Sequence, residues 1–183
     1  LDPDCFKATK SFKSGQLIVS LFDATAHQAI IKQLTAGNTT ACGLNWIPRT
    51  SRAQMMDVLS SQASTAGYQA ALLGATYSPR YFPMLTTAAG TIRPAKVLVV
   101  GTGVAGLQAI ATAKRLGAIV EAYDIRPETK EQVESLGGRF IDLGIDATSQ
   151  GGYARELTAK EKQQQLHILT KHVRDCDVLI TTA

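Results

Sequence analysis

Short apolar runs alternate along this chain with longer stretches in which apolar residues return every third or fourth position, the pattern of strands feeding helices. Residues 17–22 predict a buried strand. Residues 24–36 predict a helix with Ala26, Ile30, Ile31 and Leu34 on one face, ended by Gly37 and Asn38. A second short strand is expected at 40–46. After a break at 48–51, a long helix is expected over 52–73, opened by a capping box of Ser51 and Gln54. A loop at 74–83 carries Tyr77, Tyr81 and Phe82, and 84–90 is expected to be helical.

The clearest transition follows. A β-branched run over 97–100 stops at Gly101, and helix spacing then takes over. Strands are expected again at 119–123, 139–143 and 178–182. A helix begins at Arg126-Pro127-Glu128 and ends at Gly137 and Gly138, and a charged amphipathic helix covers 156–173. Its Gln163, Gln164 and Gln165 read as a solvated face. Between them, 144–154 carries Gly151, Gly152 and Tyr153 without periodicity and reads as a mobile loop. Residues 97–113 lack charge, but three glycines directly after a β-branched run fit a strand–turn–helix better than a membrane span, so the segment is expected to be soluble.

Gly101, Gly103 and Gly106 form G-x-G-x-x-G between that strand and its helix. In a dinucleotide site the first glycine allows the tight turn, the second lets backbone approach a pyrophosphate, and the third lets helix and strand pack closely. Val104 and Ala105 open the helix, whose free N–H groups and positive dipole end favour phosphate. The next strand ends at Asp124, 18 residues beyond Gly106, near the ~20 expected for a carboxylate that binds adenosine ribose hydroxyls. Asp124 would repel a 2′-phosphate, favouring NAD over NADP. Arg126, next but one with Ile125 between, is a cation that can receive that phosphate. The alternative is an ordinary β–α–β unit in which Asp124 caps the next helix. Thr182 and Ala183 fall at the carboxyl end of the last strand, where such sheets bind ligand.

A second polar set lies upstream. On one continuous helix Gln54, Asp57 and Ser61 would share a sector, with Ser60 on its margin and Arg49 in the preceding turn. Such a wall suits a planar carboxamide. Equally, Gln54 completes a capping box and the serines are plain surface.

Composition narrows the partners. With 183 residues, 45% hydrophobic and 19% charged, the chain is ordinary globular protein. Its net charge of +4 is scattered, so nucleic-acid binding is not expected. Cys5, Cys42 and Cys176 are too far apart for a disulfide framework and suit a reducing compartment. Each reads as a small buried apolar residue. No metal site is expected, and His27 has no ligand partner at suitable spacing. Both ends look cut, and the opening residues are not expected to be a signal peptide or an arginine-rich transit segment.

Several segments together resemble a known family. These are P-R-T-S-R-A-Q-M-M-D-V-L-S-S from Pro48 to Ser61, F-P-M-L-T-T-A-A-G from Phe82 to Gly90, and the glycine segment from Pro94 to Ala118. Y-D-I-R-P from Tyr123, G-G-Y-A from Gly151 and the closing residues 177–183 complete the set. They are similar to the NAD(H)-binding domain of the proton-translocating NAD(P) transhydrogenases, and R-x-x-R-A-Q-x-x-D is the most specific segment. The resemblance implies an α/β fold of two Rossmann-like lobes. Residues 1–50 would belong to an incomplete first lobe, 51–93 would be the interlobe helix and linker, and 94–183 a nucleotide lobe truncated at its end. It implies that Arg49, Gln54, Asp57 and Ser60 hold the nicotinamide and its ribose, and that Tyr153, beside Gly152, lies on a loop closing over nucleotide. Further implications are a homodimer, NADP(H) on a partner domain, and a transmembrane proton-channel domain. The segment itself would not insert in the membrane. It would face the bacterial cytoplasm or mitochondrial matrix and be inactive alone. Alanine dehydrogenase is the rival reading: its family places a His on the first strand, where Phe22 stands here. A non-catalytic NAD-sensing domain is the third.

Overall fold

The computed structural model describes residues 12–21, 28–48, 50–144 and 157–182. The chain divides into two compact units, Leu1–Ser61 and Gln62–Ala183.

In the first unit, β1 (Leu17–Ser20) and β2 (Thr40–Gly43) pair in parallel through α1 (Gln28–Ala36). Leu34 is the buried residue of α1. Asn38, with φ 49, turns the chain after it, and the Thr39 amide returns to the Leu34 carbonyl. A 3₁₀ turn (Leu44–Trp46) follows β2, and a second covers Ser51–Met56. The expected helix over 52–73 is therefore displaced: α2 runs Val58–Tyr77. No side chain caps the 3₁₀ turn at Thr50, so the Ser51–Gln54 capping box is not formed. Asp57 does the capping instead. Its carboxylate accepts from the Ser60 amide at 3.0 Å and the Ser60 hydroxyl at 2.7 Å. That satisfies a first-turn amide in the way an N-cap aspartate does.

The second unit is built on a four-stranded parallel sheet, ordered β7-β6-β5-β8, of β5 (Lys96–Val100), β6 (Ile119–Tyr123), β7 (Arg139–Phe140) and β8 (Val178–Thr181). In order of appearance this is 3-2-1-4, the beginning of a doubly wound nucleotide fold, with the reversal between β5 and β8. Both faces are covered, which is why β5 is apolar on both sides. Val97, Val99, Val120, Ala122 and Ile180 pack with α3 (Val104–Arg115), with Ala71 of α2 and with Val133 of α4 (Lys130–Ser135). Leu98, Tyr123, Ile141 and Leu143 pack with Ile168 and Leu169 of α5 (Ala159–Asp175). A β-carbon on Gly67 would lie 2.0 Å from the Ala105 carbonyl oxygen, so α2 and α3 cross at backbone contact.

Three further expectations fail in the second half of the fold and at the cysteines. Residues 84–90 are not helical: β3 (Leu85–Thr87) and β4 (Gly90–Ile92) form an antiparallel hairpin. The adjacent alanines suggest helix, but Gly90 has φ +134 and the flanking threonines pair across the strands, Thr86 to Thr91 at 3.3 Å. The glutamine run is not merely solvated. Gln165 donates to the Tyr123 hydroxyl at 2.9 Å and Gln164 to the Leu143 carbonyl at 3.0 Å, tying α5 to the sheet. Cys42 is exposed rather than buried, and Cys176 is partly buried. At the start of α5, Thr158 and Glu161 make a full capping box that the sequence pattern did not single out.

Candidate nucleotide site

The turn after β5 is shaped by contacts on both sides. Gly101 has φ +95, a conformation glycine adopts without strain. Its amide donates to the Tyr123 carbonyl at 2.8 Å, and its own carbonyl accepts from the Thr182 hydroxyl at 2.9 Å. The turn is thus clamped between β6 and the end of β8. A β-carbon on Gly106 would lie 1.9 Å from that same Gly101 carbonyl oxygen. Gly103 differs. Its φ is −74, open to any residue, and a β-carbon there would meet nothing within 4 Å. Neither packing nor conformation accounts for a glycine at this position.

Gly103 is also the N-cap of α3, and no side chain caps it. The first-turn amides, Val104 and Ala105 among them, have no acceptor within the helix. Val104 is exposed and Ala105 partly buried. Basic Lys114 and Arg115 close the other end of α3, matching its dipole.

Asp124 stands at the tip of β6 beside this turn. The register pairs Val100 with Tyr123, which brings Thr102 and Asp124 together. Asp124 Oδ2 accepts from the Thr102 amide at 2.8 Å, the Thr102 hydroxyl at 3.0 Å and Arg126 Nη2 at 3.1 Å. Oδ1 accepts from the Arg126 amide at 2.9 Å and Nε at 3.0 Å. Burial pushes the carboxyl pKa up. The Arg126 guanidinium, the Thr102 amide and the Arg126 amide overcome it and hold the value at about 2. The guanidinium is in turn made harder to deprotonate, first by its hydrogen bond to Asp124. Ile125 between them is partly buried.

Sequence reasoning missed Thr102. It fills a variable position of the glycine motif, and only the pairing of β5 with β6 shows that its hydroxyl meets Asp124. In the first unit Gln54 is exposed and Asp57 and Ser60 are joined to each other, while Ser61 donates to the Val58 carbonyl. The shared helical sector expected for Gln54, Asp57 and Ser61 does not exist, because α2 starts only at Val58. Arg49, Gly152, Tyr153 and Ala183 lie outside the described residues, as do Phe22 and His27. Among the described residues no group of three or more His, Cys, Asp or Glu is placed to hold a metal ion, and no helix is long and apolar enough to cross a membrane.

Comparison with known proteins decides the family. Residues 5–66 match "Alanine dehydrogenase/PNT, N-terminal domain" and residues 70–183 match "Alanine dehydrogenase/PNT, C-terminal domain". The chain belongs to the alanine dehydrogenase/PNT family. Within that family it is 49% identical over 175 residues to an NAD(P) transhydrogenase subunit alpha protein of Rhodospirillum rubrum, covering 93% of this chain and 46% of that protein. The crystal structure of transhydrogenase from Sinorhizobium meliloti superposes with a TM-score of 0.78 at 41% identity, over 94% of this chain and 45% of that one. Alanine dehydrogenase of Mycolicibacterium smegmatis is more distant, 27% identical over 132 residues, or 70% of this chain and 35% of that enzyme. The chain spans about half the length of the curated transhydrogenase relatives it matches, 46% and 48% for two of them. An α/β fold with parallel sheets is therefore both observed and shared with the family's transhydrogenase structure.

Proposed function

We propose that this chain holds NAD(H) in a Si/Re-specific, proton-translocating NAD(P)+ transhydrogenase. In that enzyme hydride passes from NADH to NADP+ carried on a separate domain. The observation that carries the reading is the turn after β5. Gly103 leaves its outward side open, the first amides of α3 open beside it, and the Asp124 carboxylate stands at the neighbouring strand tip. Amides at a helix start suit a pyrophosphate, and a carboxylate suits a ribose diol. Likeness to transhydrogenase alpha subunits, stronger than that to an alanine dehydrogenase, supports this activity over oxidative deamination.

In this reading Gly101, Gly103, Val104, Ala105 and Gly106 receive the pyrophosphate and Asp124 the adenosine ribose, with Ile125 and Arg126 flanking that carboxylate in sequence and Thr182 and Ala183 following β8. Arg49, Gln54, Asp57 and Ser60 hold the nicotinamide and its ribose, and Gly152 and Tyr153 close over the nucleotide. The nicotinamide supplies the hydride chemistry when bound. The chain's own residues orient the ring and exclude water, and no residue has to deliver a proton at the reacting carbon. Asp57 gains a second role from its capping of α2, which holds Ser60 in a fixed position. Arg49 at the end of the first lobe and Gln54, Asp57 and Ser60 on the interlobe segment would carry the nicotinamide, and the second lobe the pyrophosphate and adenosine. The whole enzyme would be a homodimer of such chains with NADP(H)-binding and membrane domains. It would lie on the cytoplasmic face of a bacterial inner membrane or the matrix face of a mitochondrial one.

Fluorescence titration with NADH and NADPH tests the site, and NADH is expected to bind more tightly. Adding an NADP(H)-binding component should then restore transfer between NADH and an NADP+ analogue, with no turnover in its absence. Reduction of NAD+ dependent on L-alanine would overturn the proposal in favour of alanine dehydrogenase. Tight NADH binding without transfer would leave a non-catalytic sensing domain.

A further inference from the structure

The Asp124 carboxylate is fully occupied by the chain itself. Five donors reach its two oxygens, whereas an ionised carboxylate offers about four lone-pair sites. A ribose diol can therefore bind Asp124 only by replacing donors already there. Three of the five are held in place by the packed strand tips. Two are backbone amides, and the third is the hydroxyl of Thr102, a residue only 1% exposed. The remaining two, Nε and Nη2, belong to the fork of a single guanidinium whose side chain is 32% exposed against 8% for Asp124. This fork can swing into solvent by side-chain rotation alone.

The match with a ribose is stoichiometric. Vicinal hydroxyls present two O–H donors side by side, and the guanidinium fork presents two N–H donors side by side. We infer that Arg126 is a built-in occupant of the ribose diol subsite, a specificity residue that NAD(H) must displace from Asp124 in order to bind. This rests on the NAD(H) reading above and adds to it a competitor within the chain. The exchange trades a charge-assisted pair for a neutral one, so Arg126 weakens NAD(H) binding and hastens release. A 2′-phosphate has no donor with which to replace the fork. It can take the guanidinium for itself, but it is then left against a bare carboxylate. Arg126 is accordingly the only group of the pair that favours NADP(H), and its removal widens the preference for NAD(H).

The test uses the intact protein with Arg126→Met, which keeps much of the side-chain stem and removes the fork. NADH should bind roughly three- to tenfold more tightly, as expected for loss of one partly exposed competing ion pair, and NADPH more weakly. The ligand-free variant should melt at a lower temperature, because Asp124 loses a partner. A merely structural arginine would lower the melting temperature without tightening NADH. Unchanged or weaker NADH binding by a folded Arg126→Met protein, with the wild type binding normally, overturns the inference and leaves the NAD(H) reading standing. Failure of the wild type to bind NADH overturns both. Should the variant not fold, the wild type still decides. Its Arg126 Nε–H should be protected from hydrogen exchange without ligand and lose that protection with NADH, and protection retained in the NADH complex overturns the inference.

Discussion

Thr102 and Asp124 are joined twice at the tips of neighbouring strands, by the Thr102 amide at 2.8 Å and its hydroxyl at 3.0 Å, both to Asp124 Oδ2. The turn that would carry a pyrophosphate and the carboxylate that would carry a ribose are thus one rigid piece. Thr102→Val keeps the shape and the amide bond but deletes the hydroxyl. We expect a loss of about 1 kcal/mol in stability by urea unfolding, with Thr102→Ser restoring most of it. No change in the midpoint would mean that the hydroxyl contributes nothing.

Acid should find Asp124. Its folded pKa is about 2 against an ordinary 3.8. The folded state thus binds the proton less readily than the unfolded chain. The resulting stabilisation, about 2 kcal/mol, is fully present above the ordinary value and is lost as pH falls from about 4 to about 2. Unfolding midpoints measured across that window should drop more steeply in wild type than in Asp124→Asn. Parallel curves would contradict the assignment.

The glycines separate packing from ligand contact. Gly106→Ala forces a β-carbon to 1.9 Å from the Gly101 carbonyl oxygen, which should cost at least about 3 kcal/mol. Gly103→Ala meets open space and should change stability by no more than roughly 0.5 kcal/mol, a small shift in melting temperature. Yet it should abolish NADH binding. A Gly103→Ala protein that binds NADH normally would remove the pyrophosphate from this turn.

Asp57 can be dissected in the same manner. Asp57→Ala removes the cap of α2 and should cost about 1 kcal/mol, whereas asparagine caps nearly as well. If Asp57 also positions nicotinamide, Asp57→Asn should hold its stability while transfer to an NADP+ analogue falls sharply. Equal transfer rates in wild type and Asp57→Asn would restrict Asp57 to its capping role.

The α5 cap offers a purely structural control. Thr158 accepts from the Glu161 amide, and Glu161 accepts from the Thr158 amide and hydroxyl, both at 2.8 Å. Thr158→Ala should cost about 1 kcal/mol by thermal melting and leave NADH affinity unchanged. A shift in affinity would link α5 to the nucleotide site.

Much of this fold is legible without coordinates, because it depends on neighbours in the chain. The β-branched run ending at Gly101, the glycine spacing into α3 and the carboxylate after β6 are local patterns. So is the parallel order of units, since strand–helix–strand connections leave few alternatives. The start of α2 departs from expectation for an equally local reason: Ser51 and Gln54 have the spacing of a capping box, but Asp57 and Ser60 form the better cap.

Other features depend on distance along the chain. Thr102 meets Asp124 across 22 residues and Gln165 meets Tyr123 across 42. Nothing in the spacing of either pair marks it beforehand. The hairpin at Leu85–Ile92 likewise follows from cross-strand pairing that outweighs the helix preference of two alanines. Residue order alone determined where most strands and helices lie and which glycines shape the turn, since those depend on periodicity and on the backbone itself. Only the assembled sheet decided that Asp124 is fully occupied and by which donors, because a hydrogen bond between strand tips exists only once the strands are paired.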